Sequence, residues 1–204
     1  MTGPASRLRV ILIGGPSNAG KSTLAESLAS KLGWHVTSTD SLARHPGRPW
    51  GQVKPHVAEY YRSLSVDELV ADVARHHQRI WPGINGLITS HATDCSTDRL
   101  ILEGSALRPE YVARLWLDEV AAVWLTASDG LLRERIHRAS DFDQATAEEQ
   151  LLVDKFLGRT HRDNQETMKV VRSLHLRLID VEELSPTDDL ADALLTQLPI
   201  QPHP

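Results

Sequence analysis

The chain has 204 residues, 41% of them hydrophobic and 24% charged, with a formal net charge of −5. That length and balance suit one α/β domain with a full core and exclude a disordered chain. The acidic excess argues against a general nucleic-acid binder, and no apolar run approaches the length of a membrane span.

Residues 1–7 lack the apolar stretch of a signal peptide, and Cys95 is the only cysteine. The chain therefore reads as cytoplasmic, in a reducing compartment and without an internal disulfide. Val10-Ile11-Leu12-Ile13-Gly14 is an apolar run that predicts a buried strand. Directly after it comes Gly15-Pro16-Ser17-Asn18-Ala19-Gly20-Lys21-Ser22-Thr23, which fits the Walker A phosphate-loop pattern G-x-x-x-x-G-K-[ST] without a mismatch. Leu24, Leu28 and Leu32 then mark the core face of a helix, and Gly33 is placed to end it. Strand, glycine turn and helix form the context in which this motif works. Glycines let backbone N–H groups turn inward, and the helix N-terminus adds partial positive charge. Lys21 is predicted to reach the β- and γ-phosphates of a triphosphate, Ser22 to place a hydroxyl on Mg²⁺, and Thr23 to lie near the α-phosphate.

A second strand is predicted from Trp34 to Thr39, ending at Asp40. Residues 41–55 carry Pro46, Gly47, Pro49, Gly51 and Pro55 and read as an irregular loop. A short helix follows from His56 to Leu64. Ser65 and Glu68 form a capping box for the next helix, predicted to stop near Ile80 because Trp81-Pro82-Gly83 disfavours continuation. A separate helix is expected over Ile84–Ala92. Leu100-Ile101-Leu102 is a third strand, closed by Glu103 and Gly104, and Pro109 suits the start of a helix. Val120–Thr126 is a fourth strand. Asp129 to about Ala139 is helical and basic, and a long helix runs from Thr146 to about Val171. His175–Val181 is a fifth strand, and Pro186 to about Leu198 the last helix.

Strands alternating with helices predict a parallel sheet covered on both faces, and ligands in such sheets bind at the carboxyl ends of the strands. Gly15, Asp40 and Glu103 all fall at those ends. With Gly15–Thr23, Val36–Asp40 and Leu100–Gly104 as its motifs, the chain resembles the P-loop kinases of small molecules, in the adenylate-kinase-like and shikimate-kinase-like group. Its pattern is also similar to chloramphenicol phosphotransferase and 2-phosphoglycerate kinase-type chains. The resemblance implies a P-loop NTPase fold, a three-layer α/β/α sandwich whose five parallel strands run in the order 2-3-1-4-5. It implies a single domain over 1–204, with an acceptor-binding segment at 41–98 and an arginine-bearing lid at 129–162. ATP and Mg²⁺ would be the cofactors. The other partner would be a small-molecule hydroxyl acceptor, with no nucleic acid or membrane, on a monomer or homodimer.

Several residues are candidates for the chemistry. By resemblance Asp40 accepts the proton of an attacking hydroxyl; its competing role is to cap the turn after the strand. Glu103 has the layout of a Walker B carboxylate, holding a Mg²⁺-bound water or pairing with Ser22; otherwise it only hydrogen-bonds the phosphate loop. Guanidinium groups stabilise charge on a transferring phosphoryl group. Arg133, Arg135 and Arg138 fall on the helix after the fourth strand, where Arg135 and Arg138 share a face, and Arg159 and Arg162 fall three apart on the later helix; Arg138 and Arg162 are the leading choices, against a solvated helix face as the plain alternative. Arg44 and Arg48 suit an anionic acceptor. The ten histidines do not show the paired spacing of a structural zinc site.

The function expected is ATP-dependent transfer of the γ-phosphate to a small-molecule hydroxyl. Alternatives are a nucleoside monophosphate kinase and a nucleotide-dependent switch or binding ATPase; the N-K-x-D signature of switch GTPases is not found. A toxin or antibiotic-modifying kinase shares the same motifs.

Overall fold

Alternate side chains of the first strand serve two different cores. The computed structural model describes residues 8–43, 46–183 and 187–198. Strand β1 (Val10–Gly14) is buried along its whole length. Ile11 and Ile13 point into one apolar cluster, and Val10 and Leu12 into another. This period-two alternation with both faces buried is what a central strand of a covered parallel sheet requires.

Around β1 lie β2 (His35–Ser38), β3 (Leu100–Glu103), β4 (Val120–Thr126) and β5 (Leu178–Asp180). They form one five-stranded sheet in the order β2-β3-β1-β4-β5, with every pairing parallel. The register levels the functional ends: Ile13 pairs with Glu103, and Ser38 pairs with Glu103 from the other side. The phosphate-loop turn, Asp40 and Glu103 therefore emerge from the same edge.

Helices α1 (Lys21–Leu32) and α7 (Thr187–Gln197) share the cluster on one face, through Leu24, Leu28, Leu190 and Leu194. On the other face α3 (Val66–Thr93) contributes Ile84, Ile88 and Ala92, and α6 (Ala147–Ser173) contributes Val171. Two buried hydrogen bonds from Asn164 tie α6 to the end of β4. Its Oδ1 accepts from Thr126 Oγ1 at 2.9 Å, and its Nδ2 donates to the Ala127 carbonyl at 2.9 Å.

A third cluster lies outside the sheet. It joins Val57 and Tyr61 of α2 (Pro55–Ser63), Leu69 of α3, Ile136 of α5 (Asp129–Ser140), and Leu152 and Phe156 of α6. The segments 41–98 and 129–162 thus pack against each other. Short α4 (Pro109–Val112) follows β3.

The helix break expected at Trp81-Pro82-Gly83 does not occur, and α3 runs unbroken from Val66 to Thr93. An interior proline costs roughly 3 kcal/mol relative to alanine. Burying Ile84 and Ile88 in full returns about 1.5–3 kcal/mol each. Pro82 and Gln78, whose carbonyl loses its helical partner, are both exposed, so water can replace that bond. The capping box at the start of α3 forms: Ser65 Oγ accepts from the Glu68 amide at 3.3 Å, and Glu68 Oε2 accepts from the Ser65 amide at 2.8 Å. Thr146 and Glu149 repeat this arrangement on α6. Strand β5 begins at Leu178 rather than His175, because α6 continues to Ser173 and His175 turns the chain with φ 53°. Pro186 lies outside the described residues, as do residues 1–7. Among the described residues no helix is long and apolar enough to cross a membrane.

Candidate active site

The phosphate-loop motif forms a turn that presses against β4. Gly15 has φ 128°, and a Cβ there would lie 2.4 Å from the Leu125 carbonyl oxygen, so no side chain fits. Asn18 adopts the left-handed region at φ 63°, and its carbonyl accepts from Arg135 Nη1 at 3.1 Å. Lys21 opens α1, and its buried Nζ donates to the Pro16 carbonyl at 2.7 Å. Burial pushes the Lys21 ammonium below the ordinary lysine range, and the Glu103 and Asp40 carboxylates oppose that shift. A buried ammonium facing two acids at a helix N-terminus is chemically matched to a polyphosphate tail.

The turn walls a cavity of about 410 Å³ lined by residues 17–23 with Asp40, Arg48, Glu103 and Arg135. Ser22 is exposed to it, and Glu103 is buried at its base. A hydroxyl and a carboxylate beside a phosphate cradle are hard oxygen donors of the type Mg²⁺ takes, so the residues present fit that ion.

Asp40 sits in a single 3-10 turn, Thr39–Ser41, directly after β2. The cap of this turn is Ser38, whose hydroxyl accepts from the Asp40 amide at 3.3 Å. The Asp40 carboxylate is therefore not consumed as a cap and stands exposed at the cavity wall. Behind Asp40 opens a second cavity of about 380 Å³, between α3 and α6. Ser17, Asp40, Arg48 and Ser105 line both cavities, so the two adjoin at a carboxylate. Val70, Val73 and Ile80 give the second cavity an apolar wall, and Arg108, Arg159 and Asp163 give it charge.

The arginines fall differently from the sequence expectation. Arg138 is exposed, pairs with Glu134 and lines neither of these cavities. Arg135, one turn nearer the strand end on the same face, lines the phosphate cavity instead. Arg162 is exposed and pairs with Asp67 at 2.9 Å, while Arg159 is buried and lines the second cavity. Arg48 lies over the Trp50 ring at 5.7 Å and touches both cavities. Arg44 lies outside the described residues.

Sequence reasoning did not single out Arg108 or Ser105. Arg108 Nη1 pairs with Asp163 at 2.5 Å and its Nε with Glu110 at 3.3 Å. Burial alone would lower its pKa, but Asp163 and Glu110 outweigh burial and hold it above the ordinary range. Ser105 Oγ lies 3.5 Å from His77 Nε2. Arg159 is among the arginines expected from sequence, and a signal favouring it over Arg162 is present: Leu152, Phe156 and Arg159 follow helical core spacing, which puts an arginine on a buried stripe.

Residues 11–153 match a family model described as an AAA domain. A tRNA dimethylallyltransferase of Streptomyces griseus subsp. griseus is 34% identical over 167 residues, covering 71% of this chain and 49% of that protein. The chain thus spans about half the length of that relative. A tRNA dimethylallyltransferase 1 of Pelobacter propionicus is 44% identical over 59 residues, 29% of this chain and 19% of that protein. A sugar kinase of Janibacter sp. HTCC2649 superposes with a TM-score of 0.58 at 18% identity, over 96% of both chains. The deoxyadenosine kinase of M. mycoides gives 0.52 at 16% identity, over 92% of this chain and 98% of that one. These likenesses show the P-loop kinase fold.

Proposed function

The chain belongs to the AAA-domain family, and from that premise we propose that it is a phosphotransferase moving the γ-phosphate of ATP to a hydroxyl of a small molecule. The observation that carries this reading is the junction of the two cavities at Asp40. One cavity has the donors of a triphosphate site. The other has the size and mixed walls of a small-molecule site.

In this reading the amides of residues 15–23 and Lys21 hold the β- and γ-phosphates. Ser22 and Glu103 would hold Mg²⁺, which supplies charge neutralisation at the phosphate oxygens. An acceptor in the second cavity directs its hydroxyl at the γ-phosphorus past Asp40. The acceptor O–P bond forms, the bond to the bridging β–γ oxygen breaks, and the acceptor proton passes to the Asp40 carboxylate. Arg135 and Arg48 stabilise the charge that spreads over the transferring oxygens. The single cysteine suits a reducing, cytoplasmic setting. A nucleoside monophosphate acceptor needs no base, so a dependence on Asp40 separates it from a hydroxyl acceptor.

The 34% identity to a tRNA dimethylallyltransferase favours a second reading, transfer of a dimethylallyl group to tRNA. The same phosphate turn would grip a diphosphate tail in that case. The net charge of −5 and the small second cavity weigh toward the first reading.

The test is a coupled ADP-release screen over hydroxylated metabolites, nucleosides, monophosphates and antibiotics, with Lys21→Ala and Asp40→Asn as controls. Acceptor-dependent ADP release lost in both variants is the expected result. Nucleotide binding without acceptor dependence points to a switch, and incorporation of label from a dimethylallyl donor into bulk tRNA overturns phosphotransfer.

A further inference from the structure

Among the described residues three guanidinium groups line the second cavity, and of these only one has a buried donor to spare. Arg108 is committed to Asp163 and Glu110. Arg48 is exposed and lies over Trp50. Arg159 is 7% exposed, and its buried Nη1 has no hydrogen-bond partner. Its natural partner on the helix, Asp163 one turn on, is taken by Arg108. A buried charged donor left bare is costly and calls for a partner, and one that faces a cavity can find it in a bound anion.

The neighbours of Arg159 hold it rather than neutralise it. Its Cζ lies 4.4 Å from the Phe156 ring centroid and 6.0 Å from that of Tyr61. Trp50 packs edge-on against Phe156 at 4.8 Å, which fixes the ring beneath the guanidinium. Stacking of this kind pre-organises the planar fork while leaving its N–H edge available. Besides Asp40 at the junction, the acids lining the cavity are Asp163 and Glu166, and both act on Arg108.

Resting on the phosphotransferase reading, we infer that the acceptor carries an oxyanion, a carboxylate or a phosphate, bound by Arg159. The oxyanion docks at the α6 wall and the apolar body lies along Val70 and Val73. The hydroxyl then points at Asp40. Arg159 is in this view the residue that selects the acceptor class.

The test reads binding without turnover. The full chain is loaded with a saturating non-hydrolysable ATP analogue, so that the phosphate turn is filled. Paired probes are then titrated by calorimetry: 3-hydroxybutyrate against its amide, 4-hydroxybenzoate against its amide, and glycerol 3-phosphate against glycerol. At least one anion is expected to bind about 10–100-fold tighter than its neutral twin, the worth of a charge-assisted bidentate contact. That preference collapses in Arg159→Gln, survives in part in Arg159→Lys, and is unchanged in Arg138→Gln. Unchanged affinity for the ATP analogue in Arg159→Gln shows that the variant is folded. Preference confined to the carboxylate pairs or to the phosphate pair identifies which oxyanion is taken. Equal binding of anions and twins, preference that outlives Arg159→Gln, or no binding by any probe overturns the inference. An anion preference without acceptor-dependent ADP release retires the phosphotransfer reading alone, and ADP release that favours neutral acceptors retires the anion site alone.

Discussion

Thr39 and Gly104 interlock across the tips of β2 and β3: a Cβ on Gly104 would stand 1.7 Å from Thr39 Oγ1 and 2.8 Å from Thr39 Cβ. Gly104 also holds φ 153°, which L side chains rarely adopt. The contact sets the spacing between Asp40, next to Thr39, and Glu103, next to Gly104. Gly104→Ala is expected to destabilise the protein by about 1–3 kcal/mol through overpacking, with strain added. It should also lower turnover more than nucleotide affinity, because it displaces the Asp40 turn and leaves the phosphate turn in place. Thr39→Gly in the same chain should restore part of the stability, since Thr39 Oγ1 has no hydrogen-bond partner to lose. Chemical denaturation of the four chains of this double-mutant cycle gives the coupling directly.

The arginine assignment separates in a single comparison. Arg135 lines the phosphate cavity and braces the turn through the Asn18 carbonyl, while Arg138 pairs with Glu134 in solvent. Arg135→Ala is expected to lower kcat/KM for ATP by about 10²–10³-fold, the usual loss of a preorganised charge donor. Arg138→Ala should stay within about twofold, as exposed pairs contribute little. Steady-state kinetics on both variants checks the pair.

What the sequence made legible follows from which signals are local. The phosphate turn could be read because its residues are contiguous and its glycine at position 15 answers a close approach to Leu125. The parallel sheet followed from the alternation of strands and helices, and its strand order from the family resemblance alone. Asp40 and Glu103 could be placed at one edge because each falls at the end of a strand read from the sequence. The continuity of α3 could not be read, because the burial of Ile84 and Ile88 against the sheet outweighs the local effect of Pro82. Nor could the choice between Arg135 and Arg138, since spacing says they share a face but not which turn reaches the strand ends. The orphaned donor of Arg159 depends on Arg108 capturing Asp163, a contact 55 residues apart in sequence that no local pattern carries.

The same helix offers a stability test. A Cβ at Gly83 or Gly86 would meet nothing within 4 Å, and both residues are exposed in the interior of α3. Each change to alanine is expected to stabilise the protein by about 0.5–1 kcal/mol through helix propensity alone. For a chain of this size that raises Tm by about 2–4 °C per kcal/mol in a thermal melt. A fall in Tm would mean that the turn around Pro82 is not helical.

Lys21 predicts a pH dependence. Its folded-state pKa is lowered, chiefly by burial, below the ordinary lysine value of 10.5. Between the folded pKa and about 10.5 the unfolded chain binds the extra proton, so this group makes stability rise with pH across that window. Lys21→Met removes the titration. The stability of the wild type relative to Lys21→Met is therefore expected to increase as pH climbs toward 10.5, measured by urea melts across alkaline buffers. The variant should also lose ATP affinity at every pH.

Asp40 is the sharpest test of the reaction. Its carboxylate lines both cavities and is not spent on capping, because Ser38 caps that turn. Asp40→Asn keeps the shape and removes the proton acceptor, and positioned general bases contribute about 10²–10⁴-fold. Turnover with a hydroxyl acceptor is expected to fall by about that factor, while the Kd for ATP changes little, since the amide still fits the wall of the turn. A monophosphate acceptor would lose far less, because its attacking oxygen arrives already deprotonated. Should Asp40→Asn instead weaken ATP binding and spare turnover, the carboxylate acts on the nucleotide side of the junction and the proton leaves to solvent.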